Sequence, residues 1–218
     1  MTRNGAKGNG SWSRWVRPLL VWWLALSLLA PALAHAKGPV LVLGDSLSAA
    51  HNLPADAGWV SLLERRLKQR PQSPNSVVNA SISGETTAGA LTRLPGLLER
   101  HHPAVVVIAL GGNDALRGLA PAQLRVNLDR MIELSRKAGA QVLLVGIDVP
   151  PNYGPAYRQR LRDTYAEASR QHQVALLPFL LEGVALAPDM MQSDGLHPTA
   201  AAQPRLLENV WKPLQPLL

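Results

Sequence analysis

The alternation of short apolar runs with longer amphipathic stretches is the feature of this sequence that most restricts its fold. Five uncharged runs are rich in valine, leucine and isoleucine, and they lie at residues 39–44, 76–80, 104–110, 141–147 and 174–177. Short runs without a polar face are typical of strands in a parallel sheet that is covered on both sides. We therefore predict five such strands.

Segments with apolar residues at helical spacing separate and follow these runs. They lie at residues 59–67, 91–98, 124–134, 157–168 and 200–214. Strands and helices that alternate in this order predict a three-layer α/β/α sandwich with a five-stranded, mainly parallel, doubly wound sheet. Because no internal repeat or low-complexity linker interrupts residues 37–218, we expect them to form a single domain.

Residues 1–36 have the composition of a secretory signal peptide. Basic residues precede an apolar run at residues 18–34, and Ala34 and Ala36 supply the small side chains that a cleavage site requires. We predict cleavage between Ala36 and Lys37 and a periplasmic or secreted mature protein. An uncleaved membrane anchor is the alternative, because the apolar run is close to the shortest length that spans a bilayer.

The charge of the remaining chain argues against nucleic-acid binding. The whole chain has a formal charge of +7, but four of its 22 basic residues and none of its 15 acidic residues lie in residues 1–36. The remaining excess of positive charge is mild, and few aromatic side chains are available for base stacking. The absence of cysteine also excludes a thiol nucleophile and disulfide bonds.

Polar motifs follow the predicted strands, at the edge where doubly wound sheets bind their ligands. They are Gly-Asp-Ser-Leu-Ser at 44–48, Asn-Ala-Ser-Ile-Ser-Gly-Glu-Thr at 79–86, Gly-Gly-Asn-Asp at 111–114 and Asp-Gly-Leu-His-Pro at 194–198. Each motif alone is also typical of an ordinary turn or of a helix start. Their joint occurrence predicts a hydrolase site.

Three residues of these motifs have the chemistry of an acyl-transfer site. Ser46 follows the first predicted strand at a strand-to-helix turn, where its hydroxyl can project into the crevice. A serine hydroxyl needs a base, and His197 can serve as one if Asp194, three residues before it, orients the imidazole ring. We interpret Ser46 as the nucleophile and Asp194 and His197 as its catalytic partners.

The four motifs, in this order, resemble those of the SGNH or GDSL hydrolase family, which is named for the serine, glycine, asparagine and histidine that they supply. The resemblance spans residues 37–218. In detail the sequence is similar to the branch of bacterial thioesterases, lysophospholipases and arylesterases. It implies an oxyanion hole formed by the backbone N–H groups of Ser46 and Gly84 and by the side-chain amide of Asn113. It also implies a two-step reaction through an acyl-enzyme.

The resemblance implies a secreted enzyme that hydrolyses acyl esters or thioesters, with a lysophospholipid or another small acyl ester as substrate. We expect no cofactor, no metal and no nucleic-acid partner. We also expect a monomer that contacts a membrane only through its signal segment or its substrate. A carbohydrate acetyl esterase is one alternative, and a non-catalytic, membrane-tethered lipid-binding protein is another. Apolar residues that either line an acyl groove or fill the core are Leu91, Leu94, Leu97, Leu116, Leu119, Val149 and Pro150.

The remaining histidines are candidates for a rival base. His101, His102 and His172 lie at predicted helix ends, where an imidazole interacts favourably with the helix dipole. His51 is the most serious rival, but it lies only five residues after the serine and has no aspartate at a comparable spacing. We interpret His51 as a surface or substrate-entrance residue, and Asp45 as a structural residue that binds backbone amides of its turn.

Overall fold

The computed structural model describes residues 38–70 and 76–218 of the chain. The predicted signal peptide and its cleavage site lie outside these residues. The strands are β1 (Val40–Gly44), β2 (Val77–Asn79), β3 (Val105–Ala109), β4 (Gln141–Val145) and β5 (Ala175–Leu177). They form one sheet in the order β2-β1-β3-β4-β5, and every neighbouring pair is parallel.

The helices are α1 (Trp59–Lys68), α2 (Thr87–His101), α3 (Gly112–Leu116), α4 (Pro121–Lys137), α5 (Pro155–His172) and α6 (Gln203–Leu214). Short 3-10 turns lie at Ala55–Ala57, Pro151–Tyr153, Ala200–Ala202 and Gln215–Leu217. Helix α4 packs between α2 and α5, whereas α1 packs against α6. These two helix layers enclose the sheet, so the predicted three-layer α/β/α sandwich is confirmed. None of the helices in the described part of the chain is long and apolar enough to cross a bilayer.

The central strands are buried completely. Every residue of β1 and β3 is buried, because helices cover both faces of the sheet. The two strands are paired from Val40 opposite Val105 to Gly44 opposite Ala109. They therefore end at the same level, and the polar motifs that follow them start side by side.

The sequence predicted the positions of the strands and long helices but not every boundary. Each strand is one or two residues shorter in total than the apolar run that predicted it. Helix α3 was not predicted, because a Gly-Gly-Asn-Asp sequence favours a loop. It forms here as a short helix that begins three residues after the end of β3.

Helix α1 is held at its first turn by a residue from the end of the chain. Its N-cap residue, Gly58, has no side chain, and the side-chain oxygen of Gln203 accepts the N–H of Trp59 at 3.0 Å. The buried Trp59 ring also donates its Nε1–H to the carbonyl of Leu47 at 3.2 Å. Helices α1 and α6 thereby support the segment that follows β1.

Candidate active site

Two segments meet at the carboxyl edge of the sheet. The serine turn (residues 45–52) follows β1, and the histidine loop (residues 191–198) lies between β5 and α6. The Oγ of Ser46 is 2.9 Å from Nε2 of His197, and Nδ1 of His197 is 2.7 Å from Oδ2 of Asp194. The structure therefore brings the three predicted residues together, although Ser46 and His197 are 151 positions apart in the sequence.

The direction of these hydrogen bonds follows from the chemistry of the groups. A carboxylate only accepts, so Nδ1 of His197 carries a hydrogen and donates it to Asp194. Nε2 is then left to accept the hydroxyl hydrogen of Ser46. A neutral imidazole in this tautomer is able to take a proton from the serine.

Hydrogen bonds from its own loop keep the Asp194 carboxyl group ionised. Its Oδ1 accepts the backbone N–H groups of His197 at 3.0 Å and of Leu196 at 2.9 Å. These bonds, with that of the His197 backbone first and that of the His197 side chain next, lower the pKa of Asp194 from 3.8 to about 2. The side chain is 39% exposed. Asp194 is therefore ionised at neutral pH while it remains in contact with solvent.

Gln192 joins the histidine loop to the serine turn. Its side-chain amide donates to the carbonyl of His51 at 3.1 Å and to that of Pro198 at 3.0 Å. Its backbone N–H donates to the carbonyl of His197 at 2.7 Å. Apart from a single antiparallel bridge between Met191 and Pro198, the loop has no strand or helix of its own. The glutamine contacts thus fix a segment that regular secondary structure does not.

The serine turn is longer than the sequence suggested. The N–H groups of Ser48 and Ala49 donate to the carbonyl of Asp45 at 3.1 and 2.9 Å, which winds the chain once after β1. Helix α1 does not start there but only after a further loop and a 3-10 turn. The predicted strand-to-helix turn is therefore a separate turn, and α1 supports it from the side.

Gly84, a predicted oxyanion donor, lies in the loop between β2 and α2. This loop is fixed beside the serine turn, because Ile82 donates its N–H to the carbonyl of Gly44 at 3.1 Å. Arg117 donates to the carbonyl of Gly84 at 3.2 Å. Gly84 has a φ of +79°, and a Cβ there would meet no other atom within 4 Å. The left-handed backbone therefore favours glycine at this position.

Asn113, the other predicted donor, is placed by the turn between β3 and α3. Gly111 has a φ of +114°, and a Cβ there would lie 2.2 Å from the hydroxyl oxygen of Tyr165. That buried hydroxyl donates to the carbonyl of Leu110 at 2.8 Å, so it leaves no room for a side chain at Gly111. Asn113 then directs its Nδ2 toward Oδ2 of Asp45 at 3.4 Å. Its amide therefore lies beside the serine turn.

A buried polar network, which sequence reasoning missed, joins α2, α3 and α4. The carboxylate of Asp114 accepts the backbone N–H of Thr87 at 2.9 Å and also the Thr87 hydroxyl. Asn127 donates to the same hydroxyl at 2.9 Å, and all three side chains are buried. Thr87 starts α2 shortly after Gly84, and Asp114 follows Asn113. The network thus ties together the two segments that contain Gly84 and Asn113.

Comparison with known proteins assigns this arrangement to a family. The sequence pattern of the GDSL-like lipase/acylhydrolase family matches residues 42–204. The chain is 55% identical to the esterase TesA of Pseudomonas aeruginosa, over 89% of this chain and 96% of that protein. It is 42% identical to thioesterase 1/protease 1/lysophospholipase L1 of Escherichia coli, over 94% of each. A crystal structure of TesA, 56% identical, superposes with a TM-score of 0.80 and covers 83% of this chain and 99% of that one.

The chain belongs to the GDSL-like lipase/acylhydrolase family. The resemblance inferred from the four motifs is therefore confirmed, and so is the predicted class of enzyme, an ester or thioester hydrolase. The roles of the individual site residues remain predictions.

The aspartate in the serine turn of this GDSL hydrolase is buried. Asp45 is 2% exposed, and its Oδ1 accepts the N–H of Leu47 at 3.0 Å. Burial raises the pKa of Asp45 from 3.8 to about 6. The contact with Leu47 agrees with the structural role that we expected for Asp45, because it binds a backbone amide of its own turn.

His51 lies closer to the site of this GDSL hydrolase than the sequence suggested. The centroid of its ring is 4.3 Å from that of His197, and the two ring planes are tilted by 36°. It is nevertheless Nε2 of His197 that contacts the hydroxyl of Ser46. His51 is therefore a neighbour of the proposed base and not simply a surface residue.

The other histidines of the described chain lie at helix ends, as predicted. Helix α2 ends at His101, His102 follows it in the left-handed conformation, and α5 ends at His172. His172 contacts Asp129 of α4 at 3.0 Å, so it belongs to a contact between helices. Within residues 38–70 and 76–218, no three side chains of the types that bind metals are grouped as ligands.

The apolar residues that we expected in an acyl groove or in the core differ in their exposure. Leu94 and Val149 belong to the buried core. The others are half-buried or exposed: Leu91, Leu97, Leu116, Leu119 and Pro150. Tyr153 and Tyr157 donate their hydroxyls to the carbonyls of Leu116 and Leu119, both at 3.0 Å, and so fix the segment between α3 and α4. Only this second group is available to contact a substrate.

Proposed function

We propose that this chain is a secreted serine hydrolase of acyl esters in which Ser46 is the nucleophile, His197 the general base and Asp194 the group that orients the base. One observation carries the proposal. A continuous chain of hydrogen bonds runs from the Asp194 carboxylate through both nitrogens of His197 to the Ser46 hydroxyl. An ionised Asp194 holds the ring in the tautomer that accepts a proton, and it stabilises the imidazolium that forms.

The reaction proceeds in two steps through an acyl-enzyme. The Oγ of Ser46 attacks the acyl carbonyl carbon while its proton passes to Nε2 of His197. The leaving alcohol or thiol then takes that proton as its bond to the acyl carbon breaks. In the second step a water molecule gives a proton to His197 and attacks the acyl-enzyme, and the same proton returns to Ser46 as the acid departs.

We infer that the backbone N–H groups of Ser46 and Gly84 and the Nδ2 amide of Asn113 stabilise the oxyanion of both steps. Two features support this role. The loop with Gly84 is pinned beside β1, and the 3.4 Å contact of Asn113 with Asp45 is long, so this amide can form a stronger bond when negative charge develops. Donors fixed in advance in this way cost no reorganisation during the reaction.

The substrate that we propose is a lysophospholipid or another small acyl ester. Two observations support it. The relatives described above are named esterase and thioesterase/lysophospholipase. The exposed side chains of Ile82 and Leu119 also provide apolar surface on the two segments that flank the proposed oxyanion donors. A panel of p-nitrophenyl esters of increasing acyl length, together with a lysophosphatidylcholine, tests this choice. Hydrolysis limited to acetyl esters would favour a carbohydrate acetyl esterase instead.

Labelling by a fluorophosphonate probe tests the nucleophile. Only an activated serine reacts, so the wild type should be labelled and Ser46→Ala should lose both labelling and hydrolysis while it stays folded. Ser48→Ala, in the serine turn, and Ser83→Ala, in the loop between β2 and α2, are matched controls, and both proteins should be labelled. A labelled Ser46→Ala protein would refute the assignment, and an unlabelled, folded wild type would indicate a binding protein without turnover.

We also propose that residues 1–36 are a signal peptide and that residues 37–218 form one secreted, monomeric hydrolase domain. The basic and apolar composition of the segment supports this, together with the small residues at its end. Mass spectrometry of the exported protein should find Lys37 as its first residue. A full-length protein in the membrane fraction would identify an anchor instead.

A further inference from the structure

His51 occupies a position that the proposed reaction does not use. The backbone N–H of His51 donates to the carbonyl of Ser46 at 3.3 Å, a hydrogen bond within the serine turn. Its own carbonyl accepts the side-chain amide of Gln192 at 3.1 Å, which fixes it to the histidine loop. The backbone of His51 is thus held by both segments of the site.

The backbone on both sides of His51 is left-handed. Ala50 and Asn52 have φ values of +56° and +57°. Asparagine adopts this conformation readily, but alanine rarely does. Alanine gains nothing from this conformation, so the surrounding contacts must impose it. One such contact is the N–H of Leu53, which donates to the carbonyl of Ala50 at 2.9 Å. The turn is therefore built to present the His51 side chain in one direction.

The His51 side chain packs against the His197 ring. The two ring centroids are 4.3 Å apart, and the ring planes are tilted by 36°. Both nitrogens of His197 already have partners, since Nδ1 contacts Asp194 and Nε2 contacts Ser46. Only 17% of the His197 side chain is exposed. The two hydrogen bonds fix the direction of the nitrogens, and the neighbouring ring limits the movement of the imidazole between them.

We propose that His51 is a positioning residue for His197. This inference rests on the proposed role of His197 as general base. A flat ring packed against His197 keeps it in the orientation that Ser46 and Asp194 require.

Two substitutions test the packing of His51 against His197. His51→Phe keeps a flat ring beside His197, so its kcat should stay within about threefold of that of the wild type. His51→Ala removes the ring, so its kcat should fall about tenfold while its KM changes less than twofold. A loss that is confined to kcat and is restored by phenylalanine is not expected of a merely structural site.

His101→Ala is the matched control, because it removes a histidine at the far end of α2. Its kcat and KM should equal those of the wild type. An unchanged kcat in His51→Ala, or an equal loss of kcat in His51→Phe, would overturn the positioning role.

Fluorophosphonate labelling distinguishes failure of this inference from failure of the proposed function. If His51→Ala keeps the kcat of the wild type and Ser46 is still labelled, only the positioning role is overturned. If Ser46→Ala is still labelled, the catalytic assignment itself fails.

Discussion

The serine turn and the histidine loop each contribute an aspartate to the same site, yet the two carboxyl groups have opposite properties. Asp45 is buried beneath the end of β1, and its pKa is raised to about 6. Asp194 is exposed, and its pKa is lowered to about 2. The two carboxyl groups are chemically identical, so their surroundings cause the whole difference.

The number of hydrogen bonds that each carboxylate receives explains the contrast. Asp194 accepts three, two of them from backbone N–H groups of its own loop, and remains in contact with water. Asp45 accepts one backbone N–H and a long contact from Asn113, which does not compensate for the loss of solvent. Burial alone therefore does not provide a stable negative charge. The exposed segment supplies the charge for the proposed reaction, and the buried one supports the turn.

The largest effect that we expect comes from Asp194→Asn. Asparagine can accept the same backbone N–H groups, but it no longer holds His197 in the required tautomer or stabilises the imidazolium. We expect kcat to fall by about 10⁴, with the free energy of unfolding changed by less than about 0.5 kcal/mol. Steady-state kinetics and urea denaturation measure the two quantities. Asp163→Asn, on α5, is the control, and a normal kcat in Asp194→Asn would remove the histidine loop from the mechanism.

Asn113→Ala tests the buried side of the site. Its amide is proposed to form its strongest hydrogen bond only when the oxyanion develops, so kcat should fall by about 10²–10³ with a much smaller change in KM. Initial rates over a range of concentrations of one p-nitrophenyl ester separate the two parameters. If KM rises and kcat stays constant, Asn113 binds the ground state and the oxyanion assignment is wrong.

Asp45→Asn tests the destabilising charge of the serine turn. Because the folded-state pKa of about 6 lies above 3.8, the folded protein binds this proton more tightly than the unfolded chain does. The contribution of Asp45 to stability therefore falls as the pH rises from about 4 to about 6, by about 2–3 kcal/mol. Urea denaturation at several pH values measures the free energy of unfolding. Between pH 4 and pH 7 that of Asp45→Asn should rise relative to that of the wild type by this amount. A difference that does not vary with pH would contradict the raised pKa.

The smallest effect that we expect is on the contribution of Asp194 to stability, which depends on pH in the opposite direction to that of Asp45. The pKa of Asp194 is lowered to about 2, so its contribution to stability is complete above about pH 4 and is lost as the pH falls toward 2. The side chain is well exposed, and solvent screening limits the contribution to less than about 1 kcal/mol. The wild type should lose slightly more stability than Asp194→Asn between pH 5 and pH 2. The reverse order in urea denaturation would show that the charge of Asp194 does not stabilise the fold.

The sheet and the motif residues were accessible from the sequence for a clear physical reason. Uncharged runs of valine, leucine and isoleucine have few alternatives to a covered parallel sheet, and such a sheet collects whatever follows its strands at one edge. Ser46, Asn113 and His197 could therefore be placed near one another without coordinates. Helix α3 could not be found in this way, because Asp114 and its contact with Thr87 support a helix in residues that by themselves favour a loop.

The position of His51 was equally out of reach. Its short distance along the chain from Ser46 suggested that it could not approach the site from the other side of the crevice, and it does not contact the serine. Two left-handed residues, Ala50 and Asn52, turn it toward His197 instead. The sequence does not predict this conformation, because alanine rarely adopts it and asparagine, although it favours the left-handed region, also occurs in many other turns.

The contact between Gln203 and Trp59 also has a consequence for the order in which the protein is made. The first helix of the described chain is completed by a residue that the ribosome adds 144 positions later. Until then the indole that supports the carbonyl of Leu47 lies in a helix with an open end. A chain that ends before Gln203 therefore lacks this support for the segment that contains the Gly-Asp-Ser motif. We expect that segment to become ordered only after synthesis has passed residue 203.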